Sequence, residues 1–360
     1  MRIIVAVLCI AMPPAAVADA GEILDQVISP ASSSSIRKSE AAIVELKDGR
    51  LMLAYTDFYT VSPNDDAPAR ILARYSSDLG RTWSAPATLI ENTAKMNVMS
   101  VSLLRLESGE LALAYMFKDS HEDCSVLFRL SRDEGRSFSE PVKITPQKSF
   151  WVMNNDRLVQ LRSGRLLAPC QRLDNWPKVR HSLTQVLYSD NNGRTWKGSD
   201  LVDIRDNNDG ADEPGVVELA NGRILMYFRT DLGAIYQCFS SDGGITWSTP
   251  QATALAAPVS PSVIKRIPST GDLLVIWNHT LPHRRGGHTD RFPLTAAISR
   301  NSGASWERIQ DLDTDVRFTY GYPSLTFVKD RVIVTYWAAR DWPWWVSLKL
   351  KSVPVTWLYQ

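Results

Sequence analysis

The sequence predicts an all-β chain folded as a six-bladed β-propeller of four-stranded antiparallel blades. Two observations predict it. The first is a hairpin pattern of apolar strand, Gly or charged turn, apolar strand. It occurs six times, at residues 42–55, 101–115, 157–169, 216–228, 263–277 and 325–337. The second is an eight-residue pattern, Ser-x-Asp/Asn-x-Gly-x-Thr/Ser-Trp/Phe, that follows every hairpin but the last. It starts at Ser76, Ser131, Ser189, Ser240 and Ser299, at spacings of 55, 58, 51 and 59 residues. Two hairpins per repeat make four strands, and a four-stranded period of this length is a propeller blade.

Each element has a local reason. In the fourth hairpin, Asn221-Gly222 is the strongest short turn signal, and it joins the apolar runs 216–219 and 223–229. In the eight-residue pattern the Asp or Asn side chain bonds backbone N–H groups of the turn. The Gly supplies a positive φ, and the closing Trp or Phe fills the space beneath the hairpin. The sixth blade lacks such a turn, so its outer strands are expected from both chain ends, residues 22–28 and 346–357. Drawing them together closes the ring and removes its free edges.

Residues 1–20 have the pattern of a secretory signal. Arg2 carries the charge, residues 3–12 form the apolar run, and small residues lie near 16–20. The apolar run is too short to span a bilayer, and no other stretch approaches spanning length. The expected organisation is a signal over 1–20 and a propeller domain over 21–360, in a secreted or periplasmic protein. Cys124, Cys170 and Cys238 remain in the mature chain without metal-ligand spacing. Three buried thiols, or one disulfide, are the readings left open. A net charge of +1 points away from nucleic acid as the partner. Twelve Trp and eleven Tyr suit both a β core and stacking on sugars.

The inner strand of each blade opens at one face of the ring. Six residues before the last apolar residue ahead of each turn stand Glu40, Ser100, Asn155, Glu213, Pro261 and Tyr322. Equivalent positions in a propeller converge on its axis, so two carboxylates and a tyrosine are expected to meet there. Arg229 ends the strand that returns from Glu213, which brings a guanidinium to the same rim.

The pattern Ser-x-Asp-x-Gly-x-Thr-Trp resembles the Asp-box, or BNR repeat, of the sialidase (neuraminidase) superfamily, and the resemblance covers nearly the whole mature chain. Residues 321–326, Gly-Tyr-Pro-Ser-Leu-Thr, resemble the segment that holds the nucleophilic tyrosine, which implies that role for Tyr322. Glu213 with Arg229 sixteen residues on resembles the segment of the activating glutamate and the second arginine of a carboxylate-binding trio. The third arginine is matched by Arg291, beside a His/Arg-rich stretch with His283, Arg284, Arg285 and His288. The acid/base aspartate is matched by Asp66, in Asn64-Asp65-Asp66-Ala67-Pro68, while Asp65 reads as a turn residue. The family's first arginine position holds Ser39. Arg37 lies on the same strand face two residues earlier, about 7 Å back, and Glu40 adds a charge that repels a carboxylate. Asn155, Asp156 and Arg157 add polar groups at the mouth of the third blade, either to bind sugar hydroxyls or to cap the strand.

These residues imply a glycan-processing enzyme that releases sialic acid or a similar acidic sugar through a Tyr322/Glu213 nucleophile. A phenol has a pKa of about 10 and needs an adjacent base, and sialidases are the tyrosine exception among glycosidases. Two alternatives stay open: a related enzyme using Glu40 and Glu213 as a carboxylate pair, and a non-catalytic sugar-binding propeller. No cofactor or metal is implied. Tyr322 at the axis requires Glu213 within hydrogen-bonding reach of its hydroxyl; Tyr320 there instead would mean a register shifted by two.

Overall fold

A computed structural model describes residues 21–204, 210–280, 291–340 and 344–360. The expected signal, residues 1–20, and the stretch holding His283, Arg284, Arg285 and His288 lie outside the described residues. The first blade consists of Arg37–Glu45, Leu51–Phe58, Arg70–Ser76 and Ala87–Ile90. The second is Asn97–Arg105, Leu111–Ser120, Asp123–Ser131 and Val142–Lys143, and the third is Val159–Gln160, Leu166–Leu173, Leu183–Ser189 and Lys197–Gly198. The fourth is Asp212–Glu218, Ile224–Arg229, Ala234–Ser240 and Gln251–Ala256, and the fifth is Val263–Arg266, Leu273–Asn278, Leu294–Ser299 and Glu307–Asp313. The sixth combines Thr319–Val328, Arg331–Ala339 and Val346–Pro354 with the N-terminal strand Leu24–Ser29, which pairs antiparallel with Val346–Pro354. Among the described residues the helical element is a 3-10 turn, Val355–Tyr359.

The turns explain why each inner strand stops where its apolar run stops. Leu46, Leu106, Leu161 and Leu219 each donate a backbone N–H across the turn, to Arg50, Glu110, Arg165 and Arg223 at 2.7–2.9 Å. Those four leucines are buried and pack between blades. The core is therefore not one central body. It is six apolar layers, one between each pair of neighbouring blades, with the sixth joining Val328 and Leu348 to Ala41 and Leu53. At the transfer value of about 25 cal/mol per Å² of apolar area, these layers dominate stability.

The Ser-x-Asp/Asn turns show the bonds that their residue types allow. Ser76 Oγ donates to Asp78 at 2.7 Å and accepts the Gly80 N–H at 2.9 Å, while Thr82 gives Asp78 both its N–H and its hydroxyl. The turns at Ser131, Ser189, Ser240 and Ser299 repeat the scheme. Hydrogen bonds from the Ser137 side chain and backbone pull Asp133 down to about 2. Trp196 packs edge-on against Phe128 at 5.4 Å, which fills the layer between blades two and three. Cys124, Cys170 and Cys238 are buried free thiols.

Glycine tolerance tests this packing. Gly49 has φ +81° and open space around a built Cβ, whereas at Gly193, φ +80°, a Cβ would lie 2.1 Å from the Phe128 ring. Gly49→Ala is expected to cost about 1–2 kcal/mol, the left-handed backbone term alone. Gly193→Ala adds an overpacking cost of roughly 1–3 kcal/mol. Thermal unfolding of the two variants should therefore give a clearly lower Tm for Gly193→Ala; equal losses would mean that the interblade layer yields freely.

Candidate active site

The inner strands share one irregularity. Glu40, Ser100, Asp156, Glu213 and Tyr322 have φ of 53°, 54°, 58°, 42° and 54°. For four of them strand pairing skips at that point, between Ser39 and Ala42, Met99 and Ser102, Asp212 and Gly215, and Gly321 and Ser324. Non-glycine residues rarely adopt this conformation, and its strain, about 1–3 kcal/mol each, gathers at functional sites. The bulge turns the side chain out of the blade. Pro261 has its φ fixed by its ring and carries no such bend. In blade three the bend falls on Asp156, one residue beyond the expected Asn155.

At this rim lies a cavity of about 780 Å³, within the range of small-molecule sites. Arg37, Glu40, Asp66, Glu213, Arg229, Arg291 and Tyr322 line it. Tyr322 Oη donates to Glu213 Oε1 at 3.0 Å, and Arg229 Nη1 donates to Glu213 Oε2 at 2.7 Å. Tyr320 points elsewhere, donating to Asp313 from a buried position. Arg291 is 1% exposed, so it is not a surface arginine; its guanidinium donates to Val259 O and lies 5.7 Å from the Tyr322 and Trp337 rings. Arg37 stacks on Phe58 at 4.3 Å and donates to Ser39, Pro63 O, Asp65 and Glu40. Three arginines thus reach one pocket from blades one, four and five.

Two expected sugar-binding residues do not line the cavity. Asn155 is fully buried and its amide donates to the carbonyls of Ala41 at 2.8 Å and Tyr322 at 3.3 Å. Arg157 is 2% exposed, donates to Ser262 O at 2.6 Å and faces the Tyr227 ring. Both side chains are spent in bonds to other blades. The loop aspartates also divide differently from the turn reading: Asp65 pairs with Arg37 at 2.5 Å, while Asp66 faces Lys118 at 3.5 Å and His121 at 3.2 Å.

Residues outside the sequence-derived set complete the pocket: Met116, Lys118, His121, Phe150, Gln171, Trp176, Asp212, Trp337 and Trp344 among them. Strand register holds the signal for some. Opposite the residue before each bulge stand Thr56, Met116, Arg229 and Trp337, and the last three line the cavity. Trp337 stacks on Tyr322 at 6.2 Å. Gln171 donates to Asp212 and accepts the Glu213 N–H, which fixes the start of the fourth inner strand.

Electrostatics separate the carboxyls. Burial raises the Tyr322 phenol well above its usual value, and the Glu213 charge adds to this, against Arg229 and Arg291. Burial alone would raise Glu213, but the charge and hydrogen bond of Arg229 outweigh it and hold Glu213 below its usual range. Burial pushes Glu40 up to about 7 against the pull of Arg37, and Asp212 up to about 6 against that of Arg229. Burial, followed by the neighbouring Arg229 charge, lowers Arg291 to about 10.

Residues 98–334 match the family described as BNR repeat-like domain. A sialidase of Bacteroides fragilis is 24% identical over 65% of this chain and 43% of its own length. A Clostridium perfringens sialidase is 24% identical over 56% of this chain and 58% of its own. The chain thus spans about half the length of these relatives. Among solved structures, the leech intramolecular trans-sialidase superposes with a TM-score of 0.73 at 16% identity, over 95% of this chain and 71% of that one. At such identity the likeness is one of fold.

The raised Glu40 has a consequence for stability. The fold favours the neutral side chain relative to the unfolded chain. Its contribution is therefore whole below pH 4.5 and is lost as pH rises through about 7. Glu40→Gln keeps the neutral form at every pH. It is expected to match wild type in Tm near pH 4 and to exceed it near pH 8, in thermal unfolding at the two pH values. A Tm difference independent of pH would exclude ionisation of Glu40 as its origin.

Proposed function

We propose that this chain, which belongs to the BNR repeat-like domain family within the sialidase superfamily, is an exported, retaining exo-glycosidase of sialidase type. Its substrate is a glycan ending in sialic acid or a similar acidic sugar. In this reading residues 1–20 are removed on export and residues 21–360 form the catalytic propeller. The carrying observation is the Arg229–Glu213–Tyr322 chain, with bonds of 2.7 and 3.0 Å, in a pocket that also receives Arg37 and Arg291.

The chemistry follows from charge. An acidic sugar with its carboxylate on the anomeric carbon repels a carboxylate nucleophile, and a phenol avoids that repulsion. Tyr322 Oη forms the new bond to the anomeric carbon as its proton passes to Glu213. The glycosidic C–O bond breaks with its electron pair going to oxygen, which takes a proton from Asp66. Water then attacks the same carbon, giving a proton to Asp66, as the bond from that carbon to Tyr322 Oη breaks with its electron pair going to Oη, which takes back its proton from Glu213. Two displacements leave the anomeric configuration unchanged. Asp66 suits the acid role better than Asp65, because Asp65 is engaged with Arg37 at 2.5 Å. The guanidiniums of Arg37, Arg229 and Arg291 would receive the sugar carboxylate by charge-assisted bonds.

One observation favours a second reading. Glu40 and Glu213 line the same pocket with pKa values displaced in opposite directions, the pattern of an acid/base carboxylate pair. Such an enzyme would act on a different glycan, with Glu40 as the acid.

Release of product from a fluorogenic aryl sialoside separates the two. Tyr322→Phe and Glu213→Gln are expected to lower kcat by about 10²–10⁴-fold, the span of positioned nucleophile and base effects. Glu40→Gln should retain or improve activity. A wild type inactive on sialosides but active on another glycoside, with that activity lost in Glu40→Gln and kept in Tyr322→Phe, would replace the first reading with the second.

A further inference from the structure

The pocket wall built by blades one to three holds a second chain of hydrogen bonds, separate from Tyr322 and Glu213. Trp176 Nε1 donates to His121 Nδ1 at 3.2 Å, and His121 Nε2 lies 3.2 Å from Asp66 Oδ2. The other carboxylate oxygen, Oδ1, is 3.5 Å from Lys118 Nζ, which also donates to Asp65 O at 2.8 Å. The Trp176 ring lies 5.9 Å from Phe150 and 6.3 Å from the His121 ring. All of these side chains line the cavity.

An indole nitrogen is a donor only. Nδ1 of His121 must therefore accept, so the ring is neutral and its single proton sits on Nε2, aimed at Asp66. An imidazolium, donating from both nitrogens, would have to break the indole bond. The difference matters to an acid/base carboxyl. A second cation beside Asp66, in addition to Lys118, would hold it ionised and oppose its role as acid. A neutral N–H fixes Oδ2 without that charge. The acid meets the leaving oxygen, so the leaving group must lie on this side of the pocket. The faces of Trp176 and Phe150 are the apolar surface available to it there.

We propose that His121 is a positioning residue for Asp66, held in its Nε2–H tautomer by Trp176, and that Trp176 and Phe150 form the subsite for the leaving sugar. The proposal rests on the glycosidase reading above, with Asp66 as the acid. In the first step His121 moves no proton; Asp66 gives its own to the departing oxygen and regains one from water in the second.

The test uses the full chain with two substrates, an aryl sialoside and a sialyl-oligosaccharide, together with nitrogen NMR of labelled histidine. An aryl leaving group needs little protonation; a sugar needs it. His121→Ala and Trp176→Phe are expected to lower kcat/KM on the oligosaccharide at least tenfold and to change kcat/KM for the aryl sialoside less than threefold, because kcat/KM reads only as far as release of the leaving group. His121→Gln, which keeps an N–H donor, should recover part of the loss. Trp176→Ala should in addition raise KM for the oligosaccharide alone. The His121 resonances should show a neutral Nε2–H ring in wild type and lose that tautomer in Trp176→Phe. An imidazolium or an Nδ1–H ring at neutral pH overturns the proposal whatever the kinetics. An active wild type whose variants lose both substrates equally, or neither, overturns it while leaving the glycosidase reading intact. A wild type inactive on both substrates overturns that reading and the role of His121 with it.

Discussion

A propeller has a hole where other folds have a core, and this one depends on how that hole is wired. The residues that do it are Asn155, Asp156 and Arg157, at the start of the third inner strand. Asn155 reaches the carbonyls of Ala41 and Tyr322, in blades one and six. Asp156 accepts from the Leu325 N–H at 2.8 Å and from Lys265 at 2.6 Å. Arg157 donates to Ser262 in blade five. Apolar layers hold neighbours together, while these polar bonds link blade three to blades one, five and six across the axis. Asp156 has a partner for each carboxylate oxygen, whereas Asn155 Oδ1 and Arg157 Nε and Nη1 are buried without one, and a buried polar group left so costs about 1–3 kcal/mol.

That wiring forms the base on which the strained bulges stand. Glu40, Glu213 and Tyr322 each sit in the left-handed region at the pocket mouth. Asn155 bonds the backbone of Tyr322 itself and that of Ala41, next to Glu40. Strain of this kind persists only where the surroundings over-determine it. The pocket also balances its charges locally: Glu213 with Arg229, Glu40 and Asp65 with Arg37. Arg291 has a backbone carbonyl and aromatic faces around it, and among the described residues it forms no ion pair with a carboxylate, unlike Arg37 and Arg229.

The sequence made the ring legible because each blade repeats the same local chemistry. A turn needs its Ser, Asp and Gly wherever it occurs, and six hairpins with one rhythm are hard to read otherwise. The rim was legible where a residue both kept that rhythm and pointed inward, as with Glu40, Glu213 and Tyr322. It failed for Asn155 and Arg157, because a one-residue shift of the bulge to Asp156 exchanges inward and outward faces, and no composition rule announces such a shift. His121, Trp176 and Phe150 were illegible for another reason. His121 and Trp176 come from connections between strands, where neither a period nor a partner strand fixes position, and Phe150 opens a short strand, Phe150–Val152, outside the repeating hairpins. Asp65 and Asp66 differ only in which cation each meets, and those cations come from distant parts of the chain.

The pairing of Leu24–Ser29 with Val346–Pro354 has a consequence for how the molecule is made. Leu24–Ser29, made before the first blade, finds its partner only in Val346–Pro354, made after the fifth. Until then the apolar faces of the first and sixth blades have no cover, and the ring is an open arc with two sticky ends. Contacts so distant in sequence slow folding and lengthen the exposure of such surfaces. Five blades can consolidate as the chain emerges, each against its predecessor. The sixth must wait, and with it the placement of Tyr322. The geometry of the pocket is therefore tied to ring closure: a chain that has not closed the ring has no Tyr322 beside Glu213.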